Sequence, residues 1–191
     1  MFLDKFRKLV GLAKIITISG SLPEGIPTNF YQQLVKIAKD NGVKILLDTS
    51  GISLRKALIG NNKPYMIKPN LSEYKYLAHK YQINRTLVRH WVRIYNYHGW
   101  EGLVGGGKSY TTKFKLEHGE TFYKVTIPKI KVFNPVGSGD ASIAGFAYAM
   151  TKNMNANDML KMCMATGMAN AQERITGHVD LSSLLKKKLF V

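Results

Sequence analysis

The sequence predicts an α/β protein, a mostly parallel sheet flanked by helices, with a helical, basic insertion. Three observations predict it. Apolar β-branched runs alternate with helix-period runs through residues 1–79, turn-forming clusters close each strand, and a glycine-rich stretch, NPVGSGDASIAGFA at 134–147, opens an apolar helix. Ligands of such sheets bind beyond the carboxyl ends of the strands, where GSLPEG, DTSG and KPN fall.

KIITIS (14–19) is a short strand that ends at GSLPEG. TNFYQQLVKIAKDNG (28–42) has helical spacing, with Thr28 as the expected cap and Gly42 as the stop. VKILLD (43–48) is the next strand. A helix around Ser53–Ile59, a strand near Tyr65–Lys68 and a helix starting around Leu71 complete a βαβαβα order. TFYKVTIPKIKVF (121–133) reads as two short strands joined near Pro128, and helices follow over about Ser138–Lys152 and Asn157–Glu173. The organisation expected is three segments: 1–79, a basic helix-turn-helix-like segment at 80–116, and 117–191 with the phosphate loop.

With 191 residues and 45% of them hydrophobic, the chain can bury one sizeable core. A net charge of +16 suggests a polyanionic partner or an anionic substrate. The single cysteine, Cys163, excludes an intramolecular disulfide and is expected to be a buried structural thiol. MFLDKFRKLVGLAKIITIS is no convincing signal peptide, since Lys14 interrupts its apolar run and no small-residue cleavage site follows. No apolar run is long enough to cross a membrane, so the expected location is the cytoplasm, with no membrane partner.

Gly137 and Gly139 let the chain turn sharply, so that the N–H groups of Gly137, Ser138 and Gly139 can face an anion at the start of the helix. An acid beside a bound phosphate repels it, yet Asp140 makes sense as a base that accepts the proton of a substrate hydroxyl. The other reading leaves Asp140 as a helix cap. In KPNLSE, Asn70 and Glu73 form an N-x-x-E pattern that places an amide oxygen near a carboxylate, or else caps a helix start. Asp48 of DTSG orients neighbouring loops or serves a turn, and Lys68 contacts phosphate or is an exposed strand-end lysine.

The middle segment differs in character. Between Lys80 and Lys115 seven lysines and arginines face one acid, Glu101, so +6 of the +16 lies there. LAHKYQINRTLVRHWVRIYNYHGWEGL resembles the helix-turn-helix of insertion-sequence transposases. Ala78, Ile83, Val88 and Trp91 have the spacing to pack two short helices, leaving Asn84, Arg85, Thr86, Arg89, His90 and Arg93 outward, residue types that suit DNA. Gln82 departs from the glycine common in such turns, and a solvated basic helix is the other reading. GLVGGGKS (102–109) fits the letters of a phosphate-binding loop, but its aromatic, polar flank IYNYHGWE is no buried strand, so Lys108 is read as basic surface. YTTKFKLE, which follows, fits a helix or a linker. LLKKKLFV at the end reads as a solvated helix end.

The stretch NPVGSGDASIAGFA fits the second signature of the ribokinase-like (PfkB) carbohydrate kinases. ITISGSLPEGIP, VKILLDTSG, IKPNLSE, FYKVTIPKIKV and GMANAQERITGHV resemble further family elements in the family's order. The combination is most similar to the family's tagatose-6-phosphate kinase and 1-phosphofructokinase branch, over about residues 1–79 and 117–180. The resemblance implies a partial ribokinase-like fold and phosphorylation of a ketohexose phosphate by ATP with Mg²⁺. It implies Asp140 as the base, Gly137, Ser138 and Gly139 as the anion hole, Asn70 and Glu73 as holders of the hydrated metal, and Lys68 and Asn170 as nucleotide contacts. Family members are considerably longer, and their earlier region supplies a small β lid and most sugar contacts. The expectation is that this chain lacks that region and also the adenine-flanking strand and turn at 80–116. Three outcomes follow: a kinase, a DNA-binding protein acting through residues 78–98, or a chain with neither activity.

Overall fold

The computed structural model describes residues 2–68, 73, 76, 110–116, 119–125, 128, 130–180 and 184. The chain divides into two units, residues 1–88 and 89–191. In the first unit, α1 (Phe2–Leu9) runs through a 3-10 turn at Val10–Leu12 into β1 (Ile15–Ser19). Then follow α2 (Phe30–Asp40), β2 (Lys44–Asp48), α3 (Gly51–Ala57) and β3 (Met66–Ile67). The strands are parallel in the order β1-β2-β3, with Ile15 opposite Lys44, Ser19 opposite Asp48 and Leu46 opposite Met66. Ile45, Leu46 and Leu47 of central β2 are all buried, because a parallel strand covered on both faces needs a continuous apolar run rather than alternation. α2 lays Tyr31, Leu34, Val35 and Ala38 into this core at helical spacing, joined by Leu54 and Ala57 from α3.

The boundaries move for local reasons. α2 starts at Phe30, and Thr28 does not cap it: the Phe30 N–H is taken by the Pro27 carbonyl, and no side chain caps Asn29's turn. Gly42 does stop it. At φ +70° Gly42 donates to Lys39 and Val43 donates to Ala38, the paired bonds of a Schellman ending. α3 begins at Gly51, two residues before the expected Ser53, with Ser50 extended ahead of it. β3 is short, but Tyr65 and Lys68 donate to Ile45 and Leu47 and carry the pairing across the expected span. Of the helix expected from Leu71, Glu73 and Tyr76 are described and helical.

In the second unit, β4 (Tyr110–Leu116) pairs antiparallel with β5 (Gly119–Val125), Tyr110 opposite Val125 and Leu116 opposite Gly119. Tyr110–Leu116 is thus neither a helix nor a linker: Tyr110, Thr112, Phe114 and Leu116 alternate with Thr111, Lys113 and Lys115, the period of a strand. The boundary expected between residues 116 and 117 falls inside this hairpin. Past Pro128 the expected second strand is absent at 130–134, where the Phe133 and Asn134 amides donate instead to the carbonyl of Ala171. α4 (Ser138–Thr151) and α5 (Ala156–Ala171) agree closely with expectation, and Asn155 caps α5 by accepting from Asp158 N–H at 3.0 Å. α4 and α5 approach closely because small residues face each other: a Cβ on Gly145 would collide with Thr166 and the Met162 carbonyl. Cys163 is half-buried on α5, short of the full burial expected. Residues 80–109, with Arg85, Thr86, Arg89, His90, Arg93 and GLVGGGKS, lie outside the described residues. No described helix is long and apolar enough to cross a membrane.

Candidate functional site

In the second unit the candidate site is the loop that feeds α4. Asn134 starts it: its Oδ1 accepts from Val136 N–H at 3.0 Å, a local turn that an Asn-Pro pair favours. Gly137 occupies the N-cap position at φ +83°, a left-handed conformation that residues with a Cβ resist. It is also crowded, since a Cβ there would stand 2.9 Å from Thr176 Cγ2 and 3.3 Å from Asn170 Oδ1. Ser138 N–H donates to Pro135 and Ala141 N–H to Gly137, whereas the amides of Gly139 and Asp140 have no backbone acceptor among the described residues. Those two amides, with the helix dipole behind them, form an electropositive tip suited to a phosphoryl group. Asp140 stands exposed in that first turn, and no side chain caps the terminus. An acid in that turn complements the dipole.

Asn170, expected at the nucleotide, is fully buried on α5. Its Oδ1 accepts from Ser138 Oγ at 3.3 Å and its Nδ2 donates to the His178 carbonyl at 3.1 Å. Asn134 makes a matching bridge, its Nδ2 donating to the Arg174 carbonyl and to Thr176 Oγ1 at 3.1 Å. Sequence reasoning missed the roles of Asn134, Thr176 and His178; an asparagine directly before a proline was the available signal for the first.

In the first unit, the carboxyl ends of the strands gather the polar groups. Asp48, at the end of β2, pairs with Lys68 just past β3 at 2.8 Å, so Lys68 is not a free strand-end lysine. The Asp48 carbonyl accepts from Gly20 N–H, and the Gly20 carbonyl accepts from Tyr31 Oη–H at 3.0 Å, tying the ends of β1 and β2 together. Glu73 Oε1 accepts from Gly51 N–H at 3.3 Å, and Tyr76, one helical turn on, stacks over the Arg55 guanidinium at 4.2 Å. Glu73 and Tyr76 are thereby both joined to α3. Thr49 Oγ1 is buried without a hydrogen-bond partner among the described residues. Asn70 lies outside the described residues. No group of three metal-ligating side chains occurs among those described.

A profile of the pfkB family carbohydrate kinases matches residues 2–182. Phosphofructokinase-2 from Escherichia coli in complex with substrates and products superposes with a TM-score of 0.70 at 23% identity, over 96% of this chain and 60% of that chain. A possible 1-phosphofructokinase from Thermotoga maritima gives 0.69 at 20% identity, over 97% of this chain and 58% of that one. For Arabidopsis thaliana ribokinase complexed with ribose and ATP the score is 0.65 at 21% identity, over 96% and 58%. The chain thus spans 58–60% of the length of these proteins, and the likeness is one of fold. None of these comparisons supports the nucleic-acid reading of residues 78–98.

Proposed function

The chain belongs to the pfkB family of carbohydrate kinases, and from that premise we propose that it transfers the γ-phosphoryl group of ATP to a hydroxymethyl oxygen of a ketohexose phosphate, of the tagatose 6-phosphate or fructose phosphate type. The observation that carries the proposal is the tip of α4: two amides without backbone acceptors beside an exposed carboxylate. Asp140 accepts the hydroxyl proton as the alcohol oxygen bonds to phosphorus and the bond to the bridging oxygen of ADP breaks. The Gly139 and Asp140 amides, which no backbone carbonyl among the described residues takes, stabilise charge on the moving phosphoryl oxygens, a contribution largest where donors are fixed beforehand. Gly137's conformation and crowding argue for such fixing.

In the first unit, Glu73 and Asn70 are assigned to Mg²⁺, and the donor chemistry fits, since this ion takes few protein oxygens and keeps several waters. Bound there, Mg²⁺ would offset negative charge on the nucleotide phosphates. Lys68 adds a cation beside Asp48, held in place by that pair. The solved relatives support the substrate classes: the bacterial phosphofructokinase-2 carries substrates and products, and the plant ribokinase carries ribose and ATP.

The test is a thermal-shift titration with Mg-ATP, with and without tagatose 6-phosphate or fructose 1-phosphate, followed by a phosphorylation assay. Binding raises the melting temperature by mass action, about 2.7 kcal/mol of stabilisation at a hundredfold excess over Kd. Asp140→Asn should abolish sugar-dependent turnover while leaving the nucleotide-induced shift in place. Turnover that survives unchanged in that variant removes Asp140 as the base.

A further inference from the structure

The loop before α4 is tied at both ends to a single turn, residues 174–178, beyond α5. Asn134 ties its start through the Arg174 carbonyl and Thr176 Oγ1, and Asn170 ties its end through Ser138 Oγ and the His178 carbonyl. Between these ties, Gly137 fits against Thr176 and Gly177 with no room for a side chain. Ser138 is held twice, its hydroxyl by Asn170 and its carbonyl by Ser142 Oγ at 2.8 Å. The Asn170 amide is fully buried, and its two polar atoms already have protein partners. A group so placed has no face left for a solute.

We infer that Asn170 is a positioning residue: it holds the Gly139 and Asp140 amides in register through Ser138 and the 174–178 turn, and does not itself touch the nucleotide. The inference rests on the reading that this loop receives a phosphoryl group. Its consequence is a division of kinetic effects. Loss of a nucleotide ligand weakens binding and raises KM, whereas loosened loop donors act chiefly where charge develops and lower kcat.

The experiment compares wild type, Asn170→Ala, Ser138→Ala and the double variant. Amide NMR spectra of the ligand-free proteins, Mg-ADP calorimetry and steady-state kinetics with fructose 1-phosphate or tagatose 6-phosphate are the readouts. In Asn170→Ala the amides of 137–140 and 175–178 should shift together, kcat should fall about tenfold or more, and KM should stay within about threefold. The double variant should lose no more than about twofold beyond Asn170→Ala, because both changes cut one connection. Multiplying losses, or a KM effect that dominates, would overturn the inference in favour of direct nucleotide contact. If wild type binds no Mg-ADP, the kinase reading fails by itself and the spectra decide the clasp: a joint shift of both segments supports it, and a shift confined to α5 overturns it. Should Asn170→Ala not fold, Asn170→Ser, which keeps a small polar group, is measured in the same way.

Discussion

At Gly42 and Gly137 the same residue type does different work. Both have positive φ, +70° and +83°, but a Cβ on Gly42 meets nothing within 4 Å, whereas one on Gly137 meets Thr176, Gly177 and Asn170. Gly42→Ala therefore incurs backbone strain alone, about 1 kcal/mol. Gly137→Ala adds a clash with Thr176 Cγ2 at 2.9 Å and a tight approach to the Gly177 nitrogen at 3.2 Å, and should cost about 2–4 kcal/mol, read from urea unfolding of each variant. Equal losses at the two positions would remove the argument that the loop before α4 is sterically locked. Much of this residue-level chemistry was legible. The run NPVGSGD announced a turn and a helix start, because each rests on neighbours in sequence, but not that the Ser138 amide, expected to face an anion, donates to the Pro135 carbonyl. The partners of Asn134 and Asn170 were not legible either, since Thr176 lies 42 residues from Asn134 and only the folded chain brings them together.

Among elements, the legible ones were those whose pattern is local and periodic: β1, α2 and β2, and the pair α4 and α5. Tyr110–Leu116 was less legible, because its alternation is short and the partner that makes it a strand, β5, is set by pairing rather than by local pattern. The α4–α5 contact gives a ranking that composition alone could not. Around Gly145 a new methyl group meets the Met162 backbone carbonyl at 2.8 Å as well as Thr166, and backbone cannot rotate away. Around Gly167 the nearest atom is the Ser142 hydroxyl, which can turn aside by giving up its bond to the Ser138 carbonyl. Gly145→Ala should thus cost about 2–3 kcal/mol and Gly167→Ala about 1 kcal/mol by chemical denaturation. The reverse order would mean that the helices separate freely and the close approach is incidental.

For the molecule as a whole, charge is the feature that no single element explains. A net +16 on 191 residues makes self-repulsion a general burden on the compact state, one that dissolved ions relieve. Among the described residues, three of the ion pairs that salt would weaken are exposed and local, Arg7–Asp4, Lys36–Asp40 and Lys161–Asp158, each joining residues three or four apart, while Lys68–Asp48 links the ends of two strands. Such pairs contribute little, so screening should remove more repulsion than attraction. Raising NaCl from about 50 mM to about 500 mM shortens the Debye length from about 14 Å to about 4 Å and should raise the melting temperature by about 2–4 °C, on the order of 1 kcal/mol for a chain of this size. Scanning calorimetry at fixed pH measures this. A melting temperature that falls with salt would mean that attractive pairs outweigh the excess of cations. The same screening acts in the opposite sense on any bound polyanion, so a nucleotide-induced thermal shift should shrink as NaCl rises, while the shift of the unliganded protein grows.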